Sequence, residues 1–243
     1  MPGTSAPRLA RLPMFRFPAA TGLLGLLVAI AWAPAAEATS LYQLDDGTAE
    51  TAFGQSAGQD MLWLNWFETQ PGAEVVTAIQ VQWGVSASHS GAGRPVSVLL
   101  YDDPNDDGNP ADAILLTSAA TTATPYGTGV FAEVPITPTQ VSGTFFVAAL
   151  HEDAPNGLTF MAAMDATTPQ GRSWILHSTS GSSIDPNDLS GANQLPTGTP
   201  GTDANFGLRA VAVPVPEPGT AGLLLAGLAA LSRLRRPHQQ RRS

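Results

Sequence analysis

An acidic loop at residues 102–112 holds the strongest chemical pattern in the sequence. Asp103, Asn105 and Asp107 stand at alternate positions and Gly108 follows them, as in the first half of a D-x-[DN]-x-[DN]-G calcium loop. The alternation aims three side-chain oxygens at one centre, and the glycine permits a sharp bend of the backbone. The spacing therefore predicts a metal site, with calcium as the candidate cofactor.

The second half of this loop departs from the calcium pattern. Its twelfth position is Ile114, which cannot supply the bidentate carboxylate that completes such a loop. Asp112 substitutes for it only in a different geometry, so the predicted ligands are Asp103, Asn105, Asp107 and Asp112. A metal-free loop closed by Asx-turns is the alternative interpretation.

A predicted strand at residues 61–67 is apolar on both faces. Alternation places Trp63 on the same face as Met61 and Phe67. Such a strand is either covered on both sides or presents an outer aromatic platform of the kind that stacks on sugar rings. Trp63 is the candidate ligand-binding residue for such a glycan platform.

Catalytic patterns are weak, and no catalytic residue is predicted. Residues 54–58 read G-x-S-x-G, but a nucleophile elbow needs a strand before it and a helix after it, and the sequence predicts neither. The chain contains no cysteine, which excludes a thiol nucleophile, a disulfide and a thiolate metal site. His89, His151 and His177 show no metal-ligand spacing. A carboxylate pair for glycoside hydrolysis stays open, because a separation in space is not visible in a sequence.

The elements that position these residues are predicted to be β-strands. Of the 243 residues, 13% are charged and 43% hydrophobic, with 24 glycines and 21 prolines, a composition that disfavours helical bundles. Alternating apolar segments recur between turn signals; in the clearest, Ile79, Val81 and Trp83 face a core while Gln80 and Gln82 face water. About eight to ten strands predict an all-β, jelly-roll-like two-sheet β-sandwich. Further strands are predicted at residues 96–101, 130–134, 144–150, 173–176 and 206–211.

Charge is distributed unevenly along the chain. There is no lysine, and eight of the eleven arginines lie before residue 17 or after residue 232. Residues 45–203 contain eighteen acidic residues and only Arg94 and Arg172, and Arg209 follows, so the middle of the chain carries about 15 negative charges in excess. Such a surface repels phosphate backbones, which excludes nucleic acid as a partner.

The N-terminal residues 1–38 have the pattern of a secretory signal peptide. Arg8, Arg11 and Arg16 precede an uncharged stretch from residue 17 to 36, and residues 36–38 (AEA) supply a small-x-small cleavage pattern. An uncleaved membrane anchor is the alternative, because nearly twenty uncharged residues are just long enough to span a bilayer. Either interpretation takes the chain out of the cytoplasm.

The C-terminal residues 214–243 carry a second signal. Pro216, Glu217 and Pro218 precede a short apolar stretch at residues 220–231, and a basic cluster follows. This order resembles the PEP-CTERM sorting signal of Gram-negative bacteria. The predicted sorting-motif residues are Pro216, Glu217, Pro218, Arg233, Arg235 and Arg236.

The resemblance implies a short transmembrane sorting helix, transient anchoring in the inner membrane and removal of the tail by an exosortase-type enzyme. Twelve helical residues rise only about 18 Å, less than a hydrocarbon core of about 30 Å, which suits a temporary anchor. Residues 39–213 are then the β-sandwich domain, and it is similar to the β-rich secreted domains that accompany such tails. A fraying apolar tail is the alternative interpretation of the C-terminus.

The sequence thus predicts an exported, non-enzymatic component of the cell surface or extracellular matrix. An exosortase-type enzyme is the expected processing partner, and extracellular polysaccharide is a further candidate partner. A calcium-stabilised carbohydrate-binding module is the first alternative. A glycan-degrading hydrolase is the second.

Overall fold

β-strands make up nearly all of the regular structure in this protein. A computed structural model of the chain describes residues 38–84, 91–127, 129–152, 159–178, 182–196 and 203–215. Within these ranges there is no α-helix, and two three-residue 3-10 helices, Pro110–Asp112 and Leu189–Gly191, accompany the strands. The all-β prediction is confirmed.

Both predicted targeting segments lie outside the described residues. These are the signal peptide at residues 1–38, apart from its last residue, and the sorting helix with its PEP motif and arginine cluster. Among the residues that the structure does describe, no helix has the length and hydrophobicity needed to cross a membrane.

The strands are short and are numbered in chain order. They are β1 (Ser40–Tyr42), β2 (Thr51–Gln55), β3 (Met61–Glu68), β4 (Val75–Val81), β5 (Pro95–Asp102), β6 (Ile114–Thr122), β7 (Ala132–Gln140), β8 (Thr144–His151), β9 (Thr159–Asp165), β10 (Ser173–His177), β11 (Asn193–Pro196), β12 (Asn205–Phe206) and β13 (Leu208–Val213).

Hydrogen bonding groups these strands into three antiparallel sheets rather than the two that the sequence predicts. A six-stranded sheet has the order β11-β10-β3-β8-β5-β6. A four-stranded sheet has the order β1-β13-β4-β7, and a three-stranded sheet has the order β12-β9-β2. One apolar core contains side chains from all three sheets, so the six-stranded sheet packs on the two smaller ones.

Gly207 lies where the chain passes from the three-stranded sheet to the four-stranded sheet. It lies between β12 and β13, where its N–H donates to the carbonyl of Ala163 and its carbonyl accepts from Gln82 N–H. A Cβ built on Gly207 would lie 2.7 Å from the Cβ of Gln82. The chain therefore passes from one sheet to the other at a point where only glycine fits.

Alternate apolar residues of β4 face the core as predicted, and so does Trp83 just beyond the end of the strand. Ile79, Val81 and Trp83 are each fully buried. The prediction that Gln82 faces water is wrong, because Gln82 is only 1% exposed. It lies just beyond the end of β4, where the backbone at Gly207 covers it.

β3 is covered on both faces, as the first of the two interpretations predicts. It lies between β10 and β8, and Met61 and Trp63 enter the main core. The prediction of Trp63 as an exposed glycan platform is wrong, because its side chain is 0% exposed. Its ring packs edge-to-face against Trp83, with centroids 6.2 Å apart.

A second apolar cluster lies on the other face of the six-stranded sheet. Leu62 and Leu64 of β3 belong to it, and two loop segments supply its outer members, Ala113, Ile184 and Leu189. The acidic loop that joins β5 to β6 is thus part of the cover over this second core. Its geometry is coupled to the burial of apolar side chains beneath it.

Candidate metal centre

The acidic loop begins where β5 ends and is tied to the sheet by backbone hydrogen bonds. The N–H of Asp103 donates to the carbonyl of Thr144, the first residue of β8, over 3.1 Å. The loop then bends through two left-handed residues, Asp106 at φ 58° and Gly108 at φ 73°. The predicted turn at residues 106–108 is confirmed, with glycine at a position that side chains rarely adopt.

Asp103 is the buried member of the predicted ligand set, with only 3% of its surface exposed. Its Oδ2 accepts the N–H of Gly108 over 2.7 Å. Its Oδ1 is buried and has no hydrogen-bond partner among the described residues. Buried carboxylate oxygens almost always have partners, so this atom differs from Oδ2 of the same side chain.

Burial is the main cause of the raised pKa of Asp103, because a charged carboxylate loses its hydration there. The backbone N–H groups of Gly108 and Asn105 lower the pKa. The negative charges of Asp107 and Asp112 raise it further. Burial and neighbouring negative charge therefore both disfavour the charged form of Asp103.

Asp107 and Asp112 converge on Asp103. One carboxylate oxygen of each of the three lies within 4.8 Å of one oxygen of each of the others. Asp107 and Asp112 are exposed, whereas Asp103 is buried, so the cluster opens to solvent on one side. The convergence of Asp112 comes from the 3-10 helix Pro110–Asp112, whose N-cap is the side chain of Asn109.

Asn105 uses its side chain within the turn. Its Oδ1 accepts the N–H of Asp107 over 3.1 Å, and its Nδ2 donates to Asp107 Oδ2 over 3.2 Å. This is the Asx-turn that the metal-free interpretation predicts. Of the four predicted ligands, the structure thus brings three carboxylates together and gives Asn105 the role of holding Asp107.

Contacts that the sequence does not reveal hold the loop in place. The Asp106 carboxylate accepts the N–H of Thr144. The carbonyl of Gly108 accepts the indole N–H of Trp174 over 2.8 Å. A Cβ on Gly108 would lie 3.1 Å from the ring of Trp66. The loop is therefore preorganised by β3, β8 and β10.

A cleft of about 410 Å³ opens beside the loop, lined by Trp66, Asp106 and Asp107 among others. Trp66 is half-buried. The guanidinium carbon of Arg172 lies 4.3 Å from the centroid of its ring. Arg172 also pairs with Glu68 over 3.5 Å. The arginine thus occupies a face of the indole ring that a sugar would need for stacking.

A second acidic cluster, formed by Asp46, Glu50 and Asp165, is absent from the sequence-based prediction. Its carboxylate oxygens also lie within 4.8 Å of one another. Asp165 is 1% exposed. Asp165 is separated from Asp46 by 119 positions in the chain, so no local spacing identifies the cluster.

Every carboxylate of this second cluster accepts hydrogen bonds from the protein. Asp165 accepts the N–H groups of Asp46 over 2.9 Å and Thr167 over 2.8 Å, one on each oxygen. Glu50 accepts the N–H of Ala166 over 2.9 Å, and Asp46 accepts both donors of Thr48. These hydrogen bonds lower the pKa of Asp46 and of Glu50. The cluster is a satisfied turn network.

The G-x-S-x-G segment does not form a nucleophile elbow. Gln55 ends β2, Ser56 is exposed in the turn that follows, and the next element is β3 rather than a helix. Gln55 Nε2 lies 3.0 Å from Nδ1 of His151. His89 lies outside the described residues.

The C-terminal segment has a match among known protein families. Residues 214–242 match the PEP-CTERM protein-sorting motif. The prediction of an exosortase-sorted protein with a β-rich body is confirmed on this segment. The match covers the tail and leaves the body of the chain, up to residue 213, unassigned.

Among the solved structures that resemble part of the chain are two of the clostridial cysteine protease Cwp84. One is the form after propeptide cleavage, at 14% identity and a TM-score of 0.49, covering 73% of this chain and 40% of that one. The other contains the cysteine protease and lectin-like domains of Cwp84, a surface layer associated protein of Clostridium difficile, at 15% identity and a TM-score of 0.48, covering 73% and 36%. This chain spans less than half of either structure. No curated protein matches the sequence.

Proposed function

We propose that this protein is a non-enzymatic component of the cell surface or extracellular matrix, exported by an N-terminal signal peptide and processed at its C-terminal tail by an exosortase-type enzyme. The observation that carries the proposal is the sorting motif at residues 214–242. A sorting signal acts on proteins that have left the cytoplasm, and residues 1–38 have the pattern of the export signal that this requires.

The charge pattern of the tail supports transient anchoring in the inner membrane. Arg233, Arg235 and Arg236 follow the apolar stretch directly. The positive-inside preference leaves such a cluster in the cytoplasm and the body on the opposite side. The short apolar stretch then holds the protein until the tail is removed.

The body supports a structural rather than a catalytic role. The exposed Ser56 does not lie in a nucleophile elbow, and the chain has no cysteine. In each acidic cluster one carboxylate is buried and two are exposed, so neither forms the pair of buried carboxylates that would favour a glycan-degrading enzyme. The burial of Trp63 counts against the aromatic platform of the carbohydrate-binding alternative.

Processing is tested by mass spectrometry of the full chain produced in a bacterial host that has an exosortase-type enzyme. We expect released molecules to lack residues 233–243, and a P216A/E217A/P218A variant to stay in the membrane fraction with its tail intact. The matched control is Pro71→Ala, a change at an exposed turn of the body, which should be processed normally. An intact peptide containing Arg233 on most released molecules would contradict the proposal.

The non-enzymatic role is tested with the purified protein and polysaccharide extracted from the same host. We expect no more reducing ends than a heat-denatured sample gives. A steady release of reducing ends by the folded protein alone would assign it to glycan hydrolysis instead.

A further inference from the structure

We propose that Asp103, Asp107 and Asp112 form a calcium site that fastens the acidic loop over the second core of the protein. The inference goes beyond the sorting and surface role, because it concerns a ligand of the folded body. It stands on the position of the three carboxylates and on one buried oxygen atom.

The buried oxygen is Asp103 Oδ1. Its neighbour Oδ2 is occupied by the N–H of Gly108, but Oδ1 has no partner among the described residues, in a side chain that is 97% buried. A buried carboxylate oxygen without a partner is costly to maintain. A cation bound between the three carboxylates satisfies this atom, whereas a turn network alone does not.

No positively charged side chain of the described residues neutralises the cluster. The two ion pairs among the described residues join Arg172 to Glu68 and Arg209 to Asp45, and neither involves a carboxylate of this cluster. Three carboxylates with oxygens within 4.8 Å of one another therefore repel each other without a counterion. A divalent cation supplies the missing charge at their centre.

The chemistry of the ligands selects calcium. The site offers only oxygen, whereas zinc and other transition metals favour imidazole or thiolate ligands. Calcium bonds oxygen at about 2.3–2.6 Å, so two ligands on opposite sides of the ion lie about 4.6–5.2 Å apart. Magnesium requires about 2.0–2.1 Å and a near-ideal octahedron. Oxygens within 4.8 Å of one another lie within reach of one calcium ion, which also tolerates the irregular geometry of a loop.

The rest of the loop is already built to hold this arrangement. Asn105 fixes Asp107 through two hydrogen bonds, and the carbonyl of Gly108 accepts the indole N–H of Trp174. Asp112 ends the 3-10 helix that precedes Ala113, a member of the second core. An ion bound to Asp103 and Asp112 thus links the end of β5 to the residues that cover the apolar face.

Isothermal titration calorimetry of the purified full chain with calcium chloride tests the proposal. We expect one site with a dissociation constant of about 10⁻⁴–10⁻³ M, the range of extracellular calcium modules. Asp107→Asn and Asp112→Asn should each weaken binding at least about tenfold, since each removes one charged ligand. Both side chains are exposed, so these variants test the ligands without disturbing a buried residue.

The matched control is the double variant D46N/E50Q in the second acidic cluster, which should bind calcium as the unchanged protein does. Absence of binding up to about 10 mM calcium overturns the proposal. Binding that survives both Asp107→Asn and Asp112→Asn also overturns it, as does binding that only the control variant loses. Magnesium that competes as strongly as calcium would reject the assignment of the metal.

Discussion

Two acidic clusters in one protein show how little a count of carboxylates says about metal binding. Asp103, Asp107 and Asp112 form one cluster, and Asp46, Glu50 and Asp165 form the other, and in each the carboxylate oxygens lie within 4.8 Å of one another. One carboxylate of each cluster is buried, Asp103 in the first and Asp165 in the second, and the other two are exposed. The clusters differ in what the protein donates to the buried member of each, because the exposed Asp107 of the first cluster also accepts donors on both oxygens.

In the second cluster the backbone itself satisfies the buried carboxylate. Both oxygens of Asp165 accept N–H groups, and the neighbouring Asp45 is paired with Arg209. In the first cluster, one oxygen of Asp103 remains without a donor. Hydrogen-bond donors, rather than the density of acidic residues, therefore separate a turn network from a candidate cation site.

The largest expected effect is the loss of Asp165. Asp165→Ala removes the acceptor of two backbone N–H groups, and hydrogen bonds to charged groups contribute about 1.5–3 kcal/mol each. We expect the free energy of unfolding to fall by about 3 kcal/mol, measured by urea denaturation. The loss should be equal with calcium and with EDTA. A loss that calcium reverses would show that the second cluster also binds the ion.

Asp103→Asn should affect the stability of the protein differently in EDTA and in calcium. In EDTA the variant should be at least as stable as the unchanged protein, because it removes a buried charge and its amide oxygen can keep the N–H of Gly108. With calcium a hundredfold above the dissociation constant, the unchanged protein gains about 2.7 kcal/mol and the variant little. Thermal denaturation in both buffers measures this crossover.

The control for that crossover is Asp188→Asn, which lies in another acidic loop and caps the 3-10 helix Leu189–Gly191. Its melting temperature should rise with calcium as much as that of the unchanged protein. If Asp103→Asn is less stable than the unchanged protein by the same amount in both buffers, the carboxylate has a structural role without an ion.

A smaller effect is expected for Gly108→Ala. Gly108 has φ 73°, and a side chain there costs about 1 kcal/mol in backbone strain. The new methyl group would also press on Trp66 at 3.1 Å. We expect both lower stability by urea denaturation and weaker calcium binding. Gly72→Ala, at φ 81° with no neighbour within 4 Å, should cost stability through strain alone and leave calcium binding unchanged.

The smallest effect concerns salt. In EDTA, sodium chloride should raise the melting temperature more for the unchanged protein than for Asp107→Asn, because the variant has less repulsion left to screen. Asp46→Asn should respond as the unchanged protein does, since the second cluster is held by hydrogen bonds. Equal salt responses of all three proteins would mean that the carboxylates of the first cluster do not repel each other measurably.

The sequence predicts most of the fold where alternation acts locally. Ile79, Val81 and Trp83 are buried as expected. The position of Gln82 and the number of sheets could not be predicted, because both depend on the crossing at Gly207 about 125 positions later in the chain. Trp63 shows the same limit, since alternation gives the face of a side chain but not what covers that face.

The candidate site could likewise be predicted only where its pattern is local in the sequence. Asp103 and Asp107 lie in one short loop whose spacing carries the signal. The use of Asn105 within a turn and the support from Trp174 arise from tertiary contacts. The cluster around Asp165 has no local sequence signature, because Asp165 lies more than a hundred positions after Asp46 and Glu50.

The position of β13 determines how the body would carry mechanical load. The tail follows directly from this strand, which is paired along one side with β1 and along the other with β4. A pull applied through the tail in the direction of the strand would therefore load both hydrogen-bond ladders in shear. The body of an anchored molecule would resist extraction of its last strand until two ladders fail together.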